Sequence, residues 1–268
     1  MTTEAVRRAL QASGVRPLRV SDVTLLGSGY ANDAYRVPSE DGGGDWCLRV
    51  PRPGSPWAAE DLAREVRLLG LLARYDLGTT IPSEARTIRD GRAFLGTLHR
   101  LVEGTPLREA STRRTPTLAR AVATFLSRLH AVPVEAARRV GVRDVDLWAD
   151  RYAALIEETL PQLGSATQTW LRNLGRDFGD ARIADPALDF AGILNDCSPA
   201  FLDAVLTHYE GAQDRDLRRR IEFYITVAPV FQVVYGDAAK GPEERLRGIR
   251  TLTARAAAAS RRGASTIR

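Results

Sequence analysis

Lysine is almost missing from this chain: of 38 basic residues, only Lys240 is not an arginine. So uniform a preference reads as GC-rich coding, and an arginine standing where a mechanism usually employs lysine is not by itself a specialisation. Cysteine is scarce as well. Cys47 and Cys197 have no short-range ligand spacing with each other or with His99, His130 and His208, which argues against a disulfide framework or a zinc site and leaves packing roles. No apolar run approaches the roughly 20 residues that span a bilayer. The opening MTTEAVRRALQASGVRP has the spacing of an amphipathic helix rather than a signal peptide, so the expectation is a cytoplasmic protein with no membrane partner. Acids are absent from residues 245–268, which carry seven arginines. Removing those seven turns a net charge of +5 into −2, so the basic excess is local, and no arginine stripe with interleaved aromatics elsewhere suggests nucleic acid.

What is present is enough chain, 268 residues, for two lobes with separate cores. After the first helix, VSDVTLLGSGYANDAYRV alternates as a strand, turns at Gly27-Ser28-Gly29 and resumes. WCLRVPR is a third strand ended by prolines, a helix follows from about residue 57 to 75, and two more strands, ARTIRD and AFLGTLHRLVEG, join at Asp90-Gly91. From Thr117 onward the apolar spacing is helical, with Phe223, Tyr224, Val227, Phe231 and Tyr235 expected on one buried face. The expected class is α+β: a small antiparallel N-lobe with one inserted helix, residues 1–103, and a mainly helical C-lobe, residues 104–268.

Three stretches could carry chemistry. Glycines at a strand–turn–strand corner let backbone N–H groups approach phosphate oxygens, and the turn can call for positive φ; an ordinary hairpin is the competing explanation. Arg49 lies mid-strand, and Glu65 falls on the apolar stripe Leu62, Val66, Leu69 of the next helix, where an unpaired carboxylate is costly. An ion pair between them is therefore expected, as against a simple surface salt bridge. Third, DFGDARIADPALDF places four aspartates (177, 180, 185, 189) in 14 residues. Asp185 before Pro186 reads as a turn and helix cap, whereas Asp177 reads as a carboxylate able to hold Mg²⁺ between phosphates.

These strings together resemble the aminoglycoside and macrolide phosphotransferases, antibiotic kinases with a two-lobed, protein-kinase-like fold. LGSGYANDAYRV resembles the phosphate loop, WCLRVPR the strand with the phosphate-binding cation, EVRLLGLLA the helix with its glutamate, HRLVEGTPL the hinge, and DFGDARIADPALDFAGIL the metal segment. The resemblance implies ATP or GTP with Mg²⁺ as cofactor and a small aminoglycoside- or macrolide-like molecule as substrate. It implies nucleotide binding by Gly27, Ser28, Gly29, Asn32, Arg49 and Glu65, hinge backbone groups at Arg100 and Val102, and Asp177 as metal ligand. For the substrate, Asp196, Asp203 and Glu210 are acidic candidates and Trp148, Phe223, Tyr224 and Phe231 aromatic ones, each equally plausible as surface or core.

The chain departs from the family at one place. Members carry His-Gly-Asp, four residues and Asn before the metal segment; here only RNLGR separates Leu171 from Asp177, and no histidine is followed two residues later by aspartate. The catalytic region near 171–177 reads as truncated, with no hairpin before Asp177 and residues 172–176 bridging directly from the helix around Trp170. No catalytic base is identifiable; Asp180 is the nearest stand-in. A phosphotransferase of impaired turnover is the expectation, with a nucleotide- or antibiotic-binding module of the pseudokinase kind as the alternative.

Overall fold

The computed structural model describes residues 3–12, 14, 22–29, 31–39, 44–52, 58–105, 115–142, 152–176 and 185–265. By packing, the chain forms two compact units, one of Met1–Pro106 and Ala121–Arg143, the other of Leu107–Arg120 and Asp144–Arg268.

The first unit opens with helix α1 (Thr3–Ala12) and is built on five strands: β1 (Thr24–Ser28), β2 (Asn32–Val37), β3 (Trp46–Pro51), β4 (Arg86–Asp90) and β5 (Ala93–Arg100). They form one antiparallel sheet in the order β1-β2-β3-β5-β4, with helix α2 (Ala58–Leu72) inserted between β3 and β4. The antiparallel sheet with one inserted helix that the sequence led us to expect is observed.

Strand β3 is central, and its side chains alternate between the two faces of the sheet. Trp46, Leu48 and Val50 join Leu10, Val37, Ile88 and Leu98 in one buried cluster. Burying each such side chain is worth about 1.5–3 kcal/mol, which fixes the register, since a one-residue slip would turn all three outward. The alternate residues Cys47 and Arg49 are thereby committed to the opposite face. Burial pushes the Cys47 thiol up, with Arg49 and Glu65 near enough to act on it in opposite senses.

Helix α3 (Thr115–His130) is followed by α4 (Val134–Arg139). The Arg67 Nε of α2 donates to the Val140 carbonyl at 2.8 Å, and Arg128 pairs with Asp76 at 2.7 Å.

The second unit is helical: α5 (Ala153–Thr159) with a following 3₁₀ turn (Leu160–Gln162), α6 (Ser165–Arg176), α7 (Ala187–Asp196), α8 (Pro199–His208), α9 (Leu217–Val227), α10 (Pro229–Lys240) and α11 (Pro242–Ser265). Phe223, Tyr224 and Val227 are buried as expected, while Phe231 and Tyr235 are half-buried. Tyr152 meets Phe231 edge-on with ring centroids 5.5 Å apart, and Tyr224 at 5.8 Å. Phe223 and Tyr224 are core residues, which removes them as walls of a substrate pocket; Trp148 lies outside the described residues. Near the end of the chain, Arg255 of α11 donates to the carbonyls of Ile225 and Thr226 at 2.6 and 2.8 Å, capping the half-buried C-terminal end of α9.

A buried polar knot pins the start of α7 to α9. Asp185 is only 7% exposed. Its carboxylate accepts from the Ala187 amide at 3.0 Å, from Arg220 Nε at 2.9 Å and from the Tyr224 hydroxyl at 3.2 Å. Arg220 also makes a fork of two 2.9 Å bonds to Asp214. The cap expected at Asp185 is present, and it is one function of three.

Tyr224 pays for this position in acidity. Burial first, then the Asp185 carboxylate, pushes its hydroxyl well above the ordinary 10.0. A phenol held protonated in the folded chain contributes stability that is complete below the unfolded value of about 10 and falls as pH rises from there toward the folded value. Guanidinium melts from about pH 9.5 to 11 are expected to show a shallower decline for Tyr224→Phe than for the parent. Equal slopes would assign the alkaline loss to other groups, such as Tyr209, whose hydroxyl burial also raises.

Candidate functional site

Arg49 and Glu65 form an ion pair through Nη1 and Oε1, as the sequence led us to expect. Arg49 Nε also donates to Asn32 Oδ1 at 3.3 Å. The alternation of β3 and the helical stripe of α2 bring the two charges together, but the expected cost of desolvating Glu65 is not what does it. Leu62 is buried, whereas Val66 and Leu69 are half-buried, and the side chains of Arg49 and Glu65 are 24% and 37% exposed. A pair this accessible adds little to stability. Its effect is directional: the guanidinium is held between an acid from α2 and an amide from β2, with part of its surface open to an anion.

The glycine corner is a tight hairpin. Gly27 stands opposite Ala34 and Ser28 opposite Asp33, with a register irregularity between Leu25 and Gly27, and the Gly29 amide donates to the Asn32 carbonyl at 2.9 Å. Positive φ, one expectation for this turn, does not occur at Gly27 or Gly29. A Cβ on Gly27 would meet nothing within 4 Å, and one on Gly29 only the Asn32 carbonyl at 3.4 Å. The protein's own packing thus does not demand glycine here; what glycine leaves is bare backbone with open space above it, suited to a phosphate. The Gly29 N–H, however, is engaged inside the hairpin.

In the segment expected to be the hinge, the Arg100 amide donates to the Ser83 carbonyl at 2.9 Å and the Leu101 amide to the Asp45 carbonyl at 2.8 Å. The Arg100 carbonyl lies 2.9 Å from His99 Nδ1. Its side chain bonds Glu84 Oε1 at 2.7 Å and stacks on Trp46 with 4.0 Å to the ring centroid. Arg100 is therefore anchored within the sheet unit, and Val102, the other residue expected at a hinge, is 41% exposed.

Asp177 and Asp180 lie outside the described residues. Among the described residues no group of three or more His, Cys, Asp or Glu is placed to hold a metal ion. Helix α6 runs through Arg176, so residues 172–176 are its last turn, and the residue that follows is Asp177. Asp203 pairs with Arg218 at 2.7 Å on the surface of the helical unit; Asp196 and Glu210 are exposed.

Two residues absent from the sequence reading also shape this site. A Cβ on Gly96 of β5 would sit 2.4 Å from the Arg49 carbonyl oxygen, a backbone atom that cannot swing aside. Gly96→Ala is expected to cost about 1–3 kcal/mol by overpacking and to shift β3 where it carries Arg49. A urea midpoint within error of the parent would show that the strand absorbs the methyl group. The other is Arg52, just past the end of β3, whose amide bonds the Ala31 carbonyl at 2.9 Å and whose Nη1 bonds the Gly29 carbonyl at 3.2 Å.

No curated protein matches the sequence. Solved structures do match the fold. The GDP complex of wild-type aminoglycoside 2'-phosphotransferase-IIIa superposes with a TM-score of 0.75 at 21% identity, over 96% of this chain and 99% of that one. The GDP and kanamycin complex of APH(2")-IIia gives 0.77 at 22%, over 94% and 98%. Macrolide 2'-phosphotransferase type I gives 0.64 at 17%, over 94% and 97%. At these identities the likeness is one of fold, the kinase-like fold of the antibiotic phosphotransferases. The model of the phosphotransferase enzyme family, in contrast, matches the sequence itself over residues 22–176, more than half of the chain, and the chain therefore belongs to that family.

Proposed function

We propose that this protein binds ATP or GTP with Mg²⁺ through its sheet unit and accepts an aminoglycoside- or macrolide-like molecule, but transfers the γ-phosphoryl group poorly or not at all. The observation that carries the second half is the helix α6, which occupies every residue up to Arg176 and leaves no interval for a catalytic loop before Asp177. Nucleotide binding is supported by the Arg49–Glu65 pair and the bare glycine corner, and by the GDP held in two of the structures that share this fold.

In this reading Arg49, steered by Glu65 and Asn32, meets phosphate oxygens as a fixed cation, and the Val102 backbone meets the base. Asp177 would hold Mg²⁺, which when bound offsets charge on the β- and γ-phosphates. The substrate hydroxyl then lacks a carboxylate to orient it or take its proton. General-base assistance alone is commonly worth about 10² to 10⁴-fold.

Thermal unfolding with ADP or GDP at about 100 times Kd is expected to show about 2.7 kcal/mol of stabilisation, lost in Arg49→Ala. A panel of aminoglycosides and macrolides with ATP and GTP should give turnover far below about 1 s⁻¹. Absence of any nucleotide shift would reject the binding half, and turnover at or above that rate the impaired half. The alternative, a binding module without turnover, is favoured by the same missing base and differs in giving no phosphorylated product even at long incubation.

A further inference from the structure

We propose that Arg52 is a positioning residue for the nucleotide's phosphates, holding the glycine hairpin closed over Arg49 from the end of β3; the proposal rests on the nucleotide-binding reading above. One residue grips the hairpin tip on both sides of residue 30: the Arg52 amide takes the Ala31 carbonyl at 2.9 Å, and its guanidinium takes the Gly29 carbonyl at 3.2 Å. Arg49, three residues earlier, takes the Asn32 side chain of the same hairpin at 3.3 Å. Two arginines, one on the strand and one at its exit, thus fix the two flanks of the turn.

Asp33 sets where the Arg52 head group rests. Its carboxylate oxygen Oδ1 is fully buried without a hydrogen-bond partner and lies 3.8 Å from Arg52 Nη1. That is too long for a hydrogen bond but close enough to draw the cation by charge, and a buried carboxylate oxygen with no donor is costly to leave unneutralised. The guanidinium is therefore held between Asp33 and the Gly29 carbonyl, with 23% of its side chain exposed. The electrostatic result is specific to a polyanion. Carbonyl oxygens carry partial negative charge; those of Gly29 and Ala31 are kept on Arg52, so the hairpin can meet a phosphate tail with its bare backbone and with the Arg49 cation beneath it. Arg52 need not touch the ligand to have this effect.

The test uses the full chain and two independent readouts. In Arg52→Gln without ligand, amide hydrogen exchange at residues 28–33 is expected to quicken by about tenfold, the scale of one lost charge-assisted bond, while amides of β3 and β5 hold their protection. In the same variant the Kd for ADP and GDP is expected to rise about tenfold, with AMP and GMP changed by less than about threefold, because the loss falls on the phosphate tail. A residue that merely supported the fold would weaken all four alike. If Arg52→Gln does not fold, Arg52→Lys, which keeps the charge with a single donor group, shows the same pattern at smaller amplitude. Unchanged exchange at the hairpin, or equal weakening of mono- and diphosphates, overturns the proposal. A parent chain that binds no nucleotide defeats the phosphotransferase reading instead, and the exchange data still decide whether Arg52 clamps the turn.

Discussion

Replacing Asp185 by alanine is expected to lower the unfolding free energy of the helical unit by about 3–5 kcal/mol. Three donors lose their acceptor in one step: the Ala187 amide that starts α7, Arg220 Nε and the Tyr224 hydroxyl. Tyr224 is 1% exposed, so water cannot replace the lost partner there, and an unsatisfied buried group costs about 1–3 kcal/mol. Arg220 retains its fork to Asp214, which draws the expectation toward the lower end. Hydrogen bonding from Arg220 already holds the exposed Asp214 carboxyl below its ordinary value. Its share of stability is thus present above the unfolded value and is lost as pH falls through the depressed one. Asp185→Asn keeps an acceptor of the same shape and should recover the cap but not the ion pair. Urea unfolding of both variants checks this; a loss under about 1 kcal/mol for Asp185→Ala would mean that the segment repacks around the gap.

Activity carries the other large effect. Inserting a family catalytic loop, with its His-Gly-Asp and downstream Asn, between Arg176 and Asp177 is expected to raise phosphorylation of a bound antibiotic by about 10² to 10⁴-fold. Binding of nucleotide without Mg²⁺ should change little, because the Arg49–Glu65 pair and the glycine hairpin belong to the other unit. An insertion that folds, binds nucleotide and gains no turnover would remove the missing loop as the cause. If the parent itself turns over at about 1 s⁻¹ or faster, a stand-in base exists, and loss of that rate on Asp180→Asn would identify it.

Elements whose partners are close in sequence or set by periodicity were legible from the residues alone. WCLRVP alternates, so Arg49 had to face away from the Trp46, Leu48, Val50 cluster, and the stripe of α2 pointed Glu65 to the sheet. The class of the first unit follows from the same patterns; its strand order, β1-β2-β3-β5-β4, does not. What could not be read depends on backbone proximity across the chain. Nothing in WCLRVP or in AFLGTLHR says that a Cβ at Gly96 would come against the Arg49 carbonyl, because that approach follows from pairing of β5 with both β3 and β4. Arg52 looks like one of many arginines, and its partners are carbonyls, which no side-chain pattern reports. Asp185 and Arg220 are 35 positions apart, with a helical turn pattern that signals the cap and hides the ion pair. The depth of Glu65 was overestimated because a stripe marks a direction and not how far the neighbouring element reaches.

Arg255 gives the chain a direction in time. All five strands of the first unit are complete by Arg100, so the sheet can assemble while the ribosome is still producing the rest, as domains synthesised first generally do. The second unit has no such independence: the carbonyls of Ile225 and Thr226 at the end of α9 wait for a guanidinium made 29 or 30 residues later. A nascent chain that stops short of Arg255 therefore carries a complete sheet while the last carbonyls of α9 still lack the donor that closes them.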